Sequence, residues 1–583
     1  MSAALGVERS LSGQPWRWRR PQSDEKWGEA LVDELLLGRG VAPHELDRYR
    51  SPTIRDLLPD PSLFRDMDQA AERVAAAVLS GERIAIFGDY DVDGATSSAL
   101  LTLLLRQLGS DPLVYIPDRQ AEGYGPNLPA LLGLKAQGAG LIITVDCGAQ
   151  AFEPLAGAKA VGLDVVVVDH HQCAAALPLA YALVNPNRLD EGETGLAHGH
   201  LAAVGMAFLL GVALVRTLRA GGFFAGRAEP RVIDLLDLVA LGTVADVAKL
   251  HGLNRAFVAQ GLKVMAKGQN LGLQALAEAA RLKTAPSCRD LGFALGPRIN
   301  AGGRVGRADL GVTLLTTTDP EEAREIAQEL DRLNEERRAI EQVVLDQAME
   351  AAEAQSGQPV ITVAAEGWHP GVIGIVAGRL KERHERPALV IAIGEDGIGK
   401  GSGRSITGVD LGAAVLAAKD EGRLVGGGGH AMAAGVTVAP GGVGSLRDYL
   451  SERLAADVAA ATANRAMIID TLCAPRGVQA GLCDALDQAG PYGVGWPQPR
   501  VAAGESRLLQ VGVVGNGHVR GIATGADGAR FKWIAFRAAD TPLGQSLLAM
   551  PGDRALWLAG TVHRDTWNGG NQAEMHLEDA ALA

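Results

Sequence analysis

Short apolar runs alternating with amphipathic stretches dominate the chain from about residue 70. Residues 67–79 have helical spacing and lead into the apolar run 83–87; a helical pattern over 95–108 precedes the run 113–116. The alternation continues through a short helix near 128–134 to Leu141–Val145 and 165–168. Apolar runs this short, bounded by helices, predict strands buried on both faces and therefore a parallel α/β sheet. The segments 201–218 and 232–241 are apolar almost throughout, which predicts helices packed against that sheet. Ahead of them, residues up to about 50 read as a short helical arm, with helical periodicity from Glu29 to Leu37 and interruptions at Pro43 and Pro52.

Asp319-Pro320-Glu321-Glu322 opens the clearest helix of the chain: Asp319 caps it, Pro320 fits its first turn, and the two glutamates complement its N-terminal dipole. It runs to about residue 355, with Leu330, Leu333, Ile340 and Val344 on one side. A charged helix of that length predicts an interdomain connector. A coiled-coil dimer is the alternative, but the heptads are imperfect, so a monomer is expected. A second α/β unit follows, with strands at 360–363 and Ala388–Ile393, helices at 371–383 and 411–419, and a glycine-rich turn before His430. From about 466, glycine-rich turns separate short strands such as 508–514, 531–535 and 555–562, an all-β pattern that predicts a small barrel. The expected division is an N-terminal arm over 1–50, a catalytic α/β domain over 51–318, a connector over 319–355, a second α/β domain over 356–455 and a barrel over 456–583. A length of 583 residues suits roughly three or four domains.

Aromatic residues make up only 4% of the chain against 47% hydrophobic, so the cores must be filled by aliphatic side chains. The net charge is −13, from 55 basic and 68 acidic residues. That balance argues against wrapping duplex DNA nonspecifically, yet local groups such as Arg298, Arg304 and Arg307, or Arg379, Lys381 and Arg383, can build a channel that the sum hides. The apolar run 202–215 is short and glycine-interrupted for a membrane span, and the first residues lack a secretory apolar core. Five cysteines without CxxC spacing read as reduced thiols. A cytoplasmic protein without membrane association is expected.

The chemistry gathers at three of the predicted strand ends. Phe87-Gly88-Asp89-Tyr90-Asp91-Val92-Asp93-Gly94 places three carboxylates at alternate positions, Asp146 ends the second run, and Asp169-His170-His171 ends four valines. Open parallel sheets bind ligands at such ends, and clustered carboxylates repel one another unless a cation compensates them. Singly, Asp91 and Asp93 would also read as an Asx turn and helix cap, and Asp146 as another cap. Together they predict a two-metal phosphoesterase site, with Asp146 shared and a further acid, Asp246, from Gly242-Thr243-Val244-Ala245-Asp246. Neither an EF-hand nor a Rossmann fingerprint matches. Gly426-Gly427-Gly428-Gly429-His430 offers backbone amides to an anion, and Ser402 and Arg404 add a hydroxyl and a bidentate donor. Arg298, Asn300 and Arg304 read as further phosphate contacts near the start of the connector.

These motifs resemble those of the DHH phosphoesterase superfamily. Asp169-His170-His171 carries its signature, and Gly428-Gly429-His430-Ala431 resembles that of its associated C-terminal domain. More narrowly, Val145-Asp146-Cys147-Gly148, Leu241-Gly242-Thr243-Val244-Ala245-Asp246, Gly296-Pro297-Arg298-Ile299-Asn300-Ala301 and Gly401-Ser402-Gly403-Arg404-Ser405 are similar to segments of the bacterial RecJ family. The resemblance covers about residues 50–583. It implies a 5′→3′ exonuclease for single-stranded DNA, acting in DNA repair and recombination with two divalent cations, manganese preferred or magnesium. Asp91 and Asp146, with Asp89 near, would hold one cation; Asp93, Asp146, His170 and Asp246 would hold the other. His171 would stand at the scissile phosphate, and Arg298, Ser402, Arg404, His430 and the amides of Gly428 and Gly429 would engage phosphates. The tail would be an OB-fold that tracks the strand with residues such as Trp533, Phe536 and Trp567. Ala197-His198-Gly199-His200 and Gly302-Gly303 depart from the family's usual runs. Partners implied are single-stranded DNA with a 5′ end, and a helicase or single-strand-binding protein to provide access to it. The alternatives are a DHH phosphodiesterase for short RNA or cyclic dinucleotides, and an inactive DNA-binding scaffold.

Overall fold

A computed structural model of the chain describes residues 2–20, 29–119, 121–565 and 572–583. The first α/β domain is built on a five-stranded parallel sheet in the order Leu113–Tyr115, Ile84–Gly88, Leu141–Val145, Asp164–Val168, Ala182–Val184. Alternation within each strand divides its side chains between two cores. Ile84, Ile86, Ile143, Val166 and Val168 join the larger core, while Ala85, Phe87, Ile142, Val165 and Val167 join the smaller one on the opposite face. Burial on both faces is why these strands read as unbroken apolar runs. The edge strand Ala182–Val184 escapes sequence reading because three residues are too few to show a period.

Helix Ala203–Ala220 is long and apolar enough to cross a membrane by composition, but it lies in the larger core against helices Met67–Ser80 and Val92–Gln107. The stretch expected as one helix over 232–241 is a 3-10 turn, Val232–Leu235, followed by helix Leu236–Ala245. Connector helix Pro320–Glu353 is capped by Asp319, whose side chain accepts from the Glu321 amide at 2.8 Å. Its apolar stripe is shared by two cores: Ala323, Ala327, Leu330 and Leu333 pack into the first domain, and Val344, Ala348 and Ala352 into the second. The stripe is thus buried within the chain.

The second domain has a mixed sheet in the order Gly426–His430, Ala433–Val438, Gly399–Arg404, Ala388–Ile393, Ile361–Glu366, antiparallel except for the last pair. The segment expected as a glycine-rich turn is therefore an edge strand, because its amides and carbonyls pair with Ala433–Val438. In the C-terminal domain, Val501–Val514, His518–Gly525, Arg530–Ala535, Ala573–Leu582 and Leu556–Arg564 close into a barrel through the pairing of the first with the last. Trp533 corrects the sequence expectation. Phe531, Trp533 and Ala535 point into the barrel while Lys532 and Ile534 point outward, so Trp533 is fully buried and unavailable to a strand.

The N-terminal residues also depart from a helical arm. Trp16–Trp18 pairs in parallel with Met467–Ile469, and buried Trp16 donates from Nε1 to Asp579 Oδ2 at 2.9 Å. Helix Glu29–Gly38 then puts Leu31 and Leu35 into the barrel core, and Val32 and Leu36 into a small core with Leu250, Val258 and Trp496. The start of the chain therefore ties barrel to first domain.

Close packing of helix Leu236–Ala245 on Gly252–Met265 sets where the turn after Ala245 lies. A Cβ at Gly261 would meet Leu236 O at 2.2 Å and Ala240 Cβ at 2.5 Å. Gly261→Ala is expected to destabilise the first domain by about 1–3 kcal/mol through overpacking. A calorimetric transition unchanged from wild type would show that the helices separate without cost.

Candidate metal centre

Strand Ile84–Gly88 ends where the chain turns into helix Val92–Gln107, and Asp91 is the cap, its Oδ1 accepting from the Gly94 amide at 3.1 Å. Capping and metal ligation are compatible here, because the cap uses one carboxylate oxygen. Asp93, in the first turn, is 1% exposed. Its two oxygens accept from the amides of Ala203 and Val204, at 2.7 and 2.8 Å, so it sits on the positive end of helix Ala203–Ala220. Gly242 gives it room: a Cβ there would lie 3.2 Å from Asp93 Oδ1 and 2.3 Å from Thr96 Oγ1. Asp146 follows its strand in a left-handed conformation (φ 60°), and Asp246, at the end of helix Leu236–Ala245, precedes Val247 in another (φ 62°). Such conformations are costly for a non-glycine residue, above all a β-branched one, and they cluster at functional sites.

Three sets of potential ligand atoms form, each with its atoms within 4.8 Å of one another: Asp89, Asp91 and Asp146; Asp93, His170 and Asp246; and Asp146, His170 and His171. His170 Nε2 stands 3.3 Å from Asp146 Oδ1 and 3.9 Å from Asp93 Oδ2, and its Nδ1 is 3.8 Å from Asp246 Oδ2. Asp89 Oδ1, Asp146 Oδ1 and His170 Nε2 are buried without a hydrogen-bond partner. Orphaned acceptors packed this closely are the donor set a hard divalent cation takes. Burial, then the charge of Asp91, pushes Asp89 and Asp146 well above the usual carboxylate range and Asp93 up to about 7. Burial, then Asp93 and Asp91, does the same to Asp246. Burial and neighbouring His171 hold His170 down at about 4, which leaves the imidazole neutral, the form that can coordinate a cation.

Asp169 goes the other way. Burial alone would raise it, but the bond to the His171 ring and the His171 and His170 charges, with a bond from the Ala149 amide, bring it to about 2. Its Oδ1 lies 2.8 Å from His171 Nδ1 and accepts from the amides of both histidines, while Oδ2 accepts from Ala149. His171 is raised: burial works against it, but its bond to Asp169 and that carboxylate's charge outweigh burial. Sequence reasoning missed the residues that fix this turn. Tyr124 Oη donates to Asp146 O at 2.9 Å and lies 3.1 Å from His171 Nδ1. Asn185 and Asn187 donate to the carbonyls of His171 and His170 at 2.8 and 2.6 Å. Only Asn185-Pro186-Asn187 after a short apolar run would have signalled the last two.

One sheet face of the second domain gathers the expected phosphate contacts. Register places Ser402, Gly435 and Gly428 opposite one another across three strands, and Arg404, Ala433 and His430 likewise, so Ser402, Arg404, Gly428 and His430 share a face. Arg404 donates from Nη1 to Ser402 Oγ at 3.0 Å. Gly429 (φ 152°) admits no side chain, since a Cβ would meet Ala433 O at 2.3 Å. Helix Ile373–His384 begins over this face: a Cβ on Gly374 would lie 3.0 Å from Ser402 Oγ and 3.1 Å from Arg404 Nη2. Arg304 crosses between the domains, donating to Gly371 O at 2.7 Å. Burial, then Arg119 and Arg337, lowers it to about 10, while Asp91 works in the opposite direction and Arg404 adds to the lowering. Asn300 lines a cavity with Arg304. Arg298 stays outside both groups. Its Nε and Nη2 hold Asp331 of the connector at 2.9 and 2.8 Å and its Nη1 donates to Ala294 O, so it fastens the connector to the first domain. Trp567 lies outside the described residues.

A parallel sheet whose strand ends converge on carboxylates and an Asp-His-His turn, joined by a long helix to a smaller α/β domain, defines a DHH-type protein. Residues 83–243 match the DHH family, N-terminal domain, residues 357–456 the DHHA1 domain, and residues 469–579 the RecJ OB domain. The chain is 39% identical over 518 residues to the single-stranded-DNA-specific exonuclease RecJ of Dickeya dadantii, covering 86% of this chain and 88% of that protein. It is 37% identical to the Escherichia coli protein of the same name over 84% of this chain and 86% of the other. The crystal structure of RecJ from Thermus thermophilus in complex with Mn2+ superposes with a TM-score of 0.75 at 29% identity, covering 97% of this chain and 79% of that one. The chain belongs to the RecJ family.

Asp169 is the group that fixes the charge on His171. Asp169→Asn is expected to lower the His171 titration midpoint, since the neutral amide removes the interaction that favours imidazolium. Histidine-resolved NMR on the metal-free protein checks this, and an unmoved midpoint would assign the raised value to the other carboxylates.

Proposed function

We propose that this protein is a metal-dependent exonuclease that hydrolyses single-stranded DNA from the 5′ end, in DNA repair and recombination. The observation that carries the reading is the three overlapping sets of ligand atoms around Asp146 and His170, with their orphaned acceptors, in a chain whose second domain brings Ser402 and Arg404 onto one sheet face. Asp89, Asp91 and Asp146 would hold one divalent cation, and Asp93, Asp146, His170 and Asp246 the other, with manganese or magnesium fitting the oxygen-rich set. Such cations supply a nucleophile at neutral pH and neutralise charge on the phosphoryl oxygens.

The chain's own groups do the rest. His171, held through Nδ1 by Asp169, keeps Nε2 for a phosphate oxygen. Arg404 and Ser402, below the start of helix Ile373–His384, form a cradle suited to a terminal phosphate. The separation of cradle from cluster would then set how far from the 5′ end the strand is cut. The division proposed is a catalytic domain to 318, a connector over 319–355, a phosphate-binding domain to about 455 and a strand-binding barrel after it, acting as a monomer in the cytoplasm. A helicase or a single-strand-binding protein would provide the free 5′ end.

End-labelled single strands with manganese test the reaction: products should arise from the 5′ end, and release confined to the 3′ end would overturn the polarity. Asp93→Ala and Asp246→Ala should lower turnover by about 10²–10³-fold or more while strand binding persists, because the lost stabilisation acts mainly in the transition state. His171→Ala should keep both metals by elemental analysis and still lose about 10²–10³-fold in rate. A missing metal would make His171 a ligand.

Arg404→Ala should slow cleavage of 5′-phosphorylated DNA more than that of 5′-hydroxyl DNA. Equal losses on the two substrates would assign Arg404 to general backbone binding.

A further inference from the structure

Two cavities flank one exposed aromatic residue beside the metal cluster. One, of about 550 Å³, is lined by Arg304, Arg337, Arg338, Arg379 and Arg537, and so draws on both α/β domains, the connector and the barrel. The other, of about 590 Å³, is mainly apolar. One wall is the turn carrying Asp246, through Ala245 and Val247, and the opposite wall is the barrel, through Tyr492, His563 and His576. Phe293 borders both cavities. It is 75% exposed and projects from a π-helical turn, Leu291–Leu295. Exposing a phenylalanine and making a π turn both cost stability, and π turns recur at functional sites.

The barrel wall continues as a row of rings. His563 stacks on His576 at 3.8 Å between centroids, Phe536 meets His576 edge-on at 4.9 Å, and His518 meets Phe536 at 5.3 Å. Phe536 is 52% exposed. A polymer with anionic links and flat apolar rings is the ligand that an arginine cavity and an aromatic-walled cavity jointly fit, and each cavity is of a size that takes a small-molecule unit.

We infer that the apolar cavity between the Asp246 turn and the barrel is a nucleobase site of the substrate strand, and that Phe293 is its stacking platform. This rests on the exonuclease reading and adds to it a register. The strand's phosphates lie along the arginines, one base leaves the strand across Phe293, and that anchored base limits sliding of the backbone past the metal cluster. Phe293 is then a positioning residue.

The test uses the full chain in EDTA and 5′-phosphorylated single strands, each with one abasic position moved stepwise from the 5′ end, with binding read by anisotropy. Wild type should show one position at which loss of the base weakens binding about tenfold. Phe293→Ala should weaken binding of the unmodified strand to a similar extent and show no further loss at that position. Phe293→Tyr should restore both effects. A flat abasic profile in wild type, or a penalty that persists undiminished in Phe293→Ala, would overturn the base site. Digestion of the unmodified strand with manganese is run alongside. Its failure would overturn the exonuclease reading and this inference together, whereas digestion with a flat abasic profile removes the base site alone.

Discussion

Asp89, Asp93 and Asp146 are buried in one cluster with half-buried Asp91 and Asp246, linked through His170, and their mutual repulsion is the constraint the rest of the structure answers. Such a group cannot ionise together in a poorly solvated site unless positive charge enters it. Asp169 shows that burial is not the whole cause. It is as buried as Asp146, yet it stays well below the ordinary carboxylate range because four donors from Ala149, His170 and His171 surround it. Asp146 Oδ1, by contrast, has no hydrogen-bond donor. Asp89 Oδ1 and Asp146 Oδ1 are thus left without donors, while the carboxylate behind them is fully supplied. Holding the array needs a stiff frame, and the sheet provides one, with cores on both faces and strand ends that fix Asp89, Asp146 and Asp169.

How much of this was legible follows from the range of the interactions. The buried strands and the Asp91, Asp93, Asp146 and His170 positions are written locally, as apolar runs ended by acids, and so is the cap of the connector. Asp246 was legible because small residues precede it. Tyr124, Asn185 and Asn187 act through hydrogen bonds to backbone carbonyls, which leave no periodicity. The partner that holds Arg298, Asp331, was not legible, because it lies a helix away in sequence. Trp533 was misjudged for another reason. Strand periodicity allows either face to be the inner one, and only closure of the barrel decides.

The pairing of N-terminal residues 16–18 with 467–469 was out of reach of any local pattern, and it changes how the domains relate. The barrel is not a module trailing from the second domain. Helix Glu29–Gly38 shares a core with the barrel on one side and with Leu250 and Val258 on the other, and Arg255, buried in the first domain, donates to the carbonyl of Ala489 at 2.8 Å. The connector fixes the second domain to the first in the same manner, by dividing one apolar stripe between two cores.

A net charge of −13 is compatible with binding a polyanion because the two signs are sorted by place, which the sum over the chain hides. The acids nearest the cluster are buried at strand ends, where cations offset them. Arg304, Arg337, Arg338, Arg379 and Arg537 come from four parts of the fold and meet along one cavity. No segment of the sequence is basic enough to suggest that cavity, since its arginines are scattered among acidic neighbours such as Glu336 and Glu341. Burial of Arg304 lowers its affinity for a proton, but only to about 10, so it remains charged at neutral pH. A phosphate reaching it would gain from the low-dielectric surroundings that make an unpaired guanidinium costly there. The cavity is compensated in part from within, since Glu341 also lines it and pairs with Arg337 and, at 3.9 Å, with Arg379; the carboxylate cluster has no such internal partner for Asp89 Oδ1 and Asp146 Oδ1, and so depends more fully on the charge that binding brings.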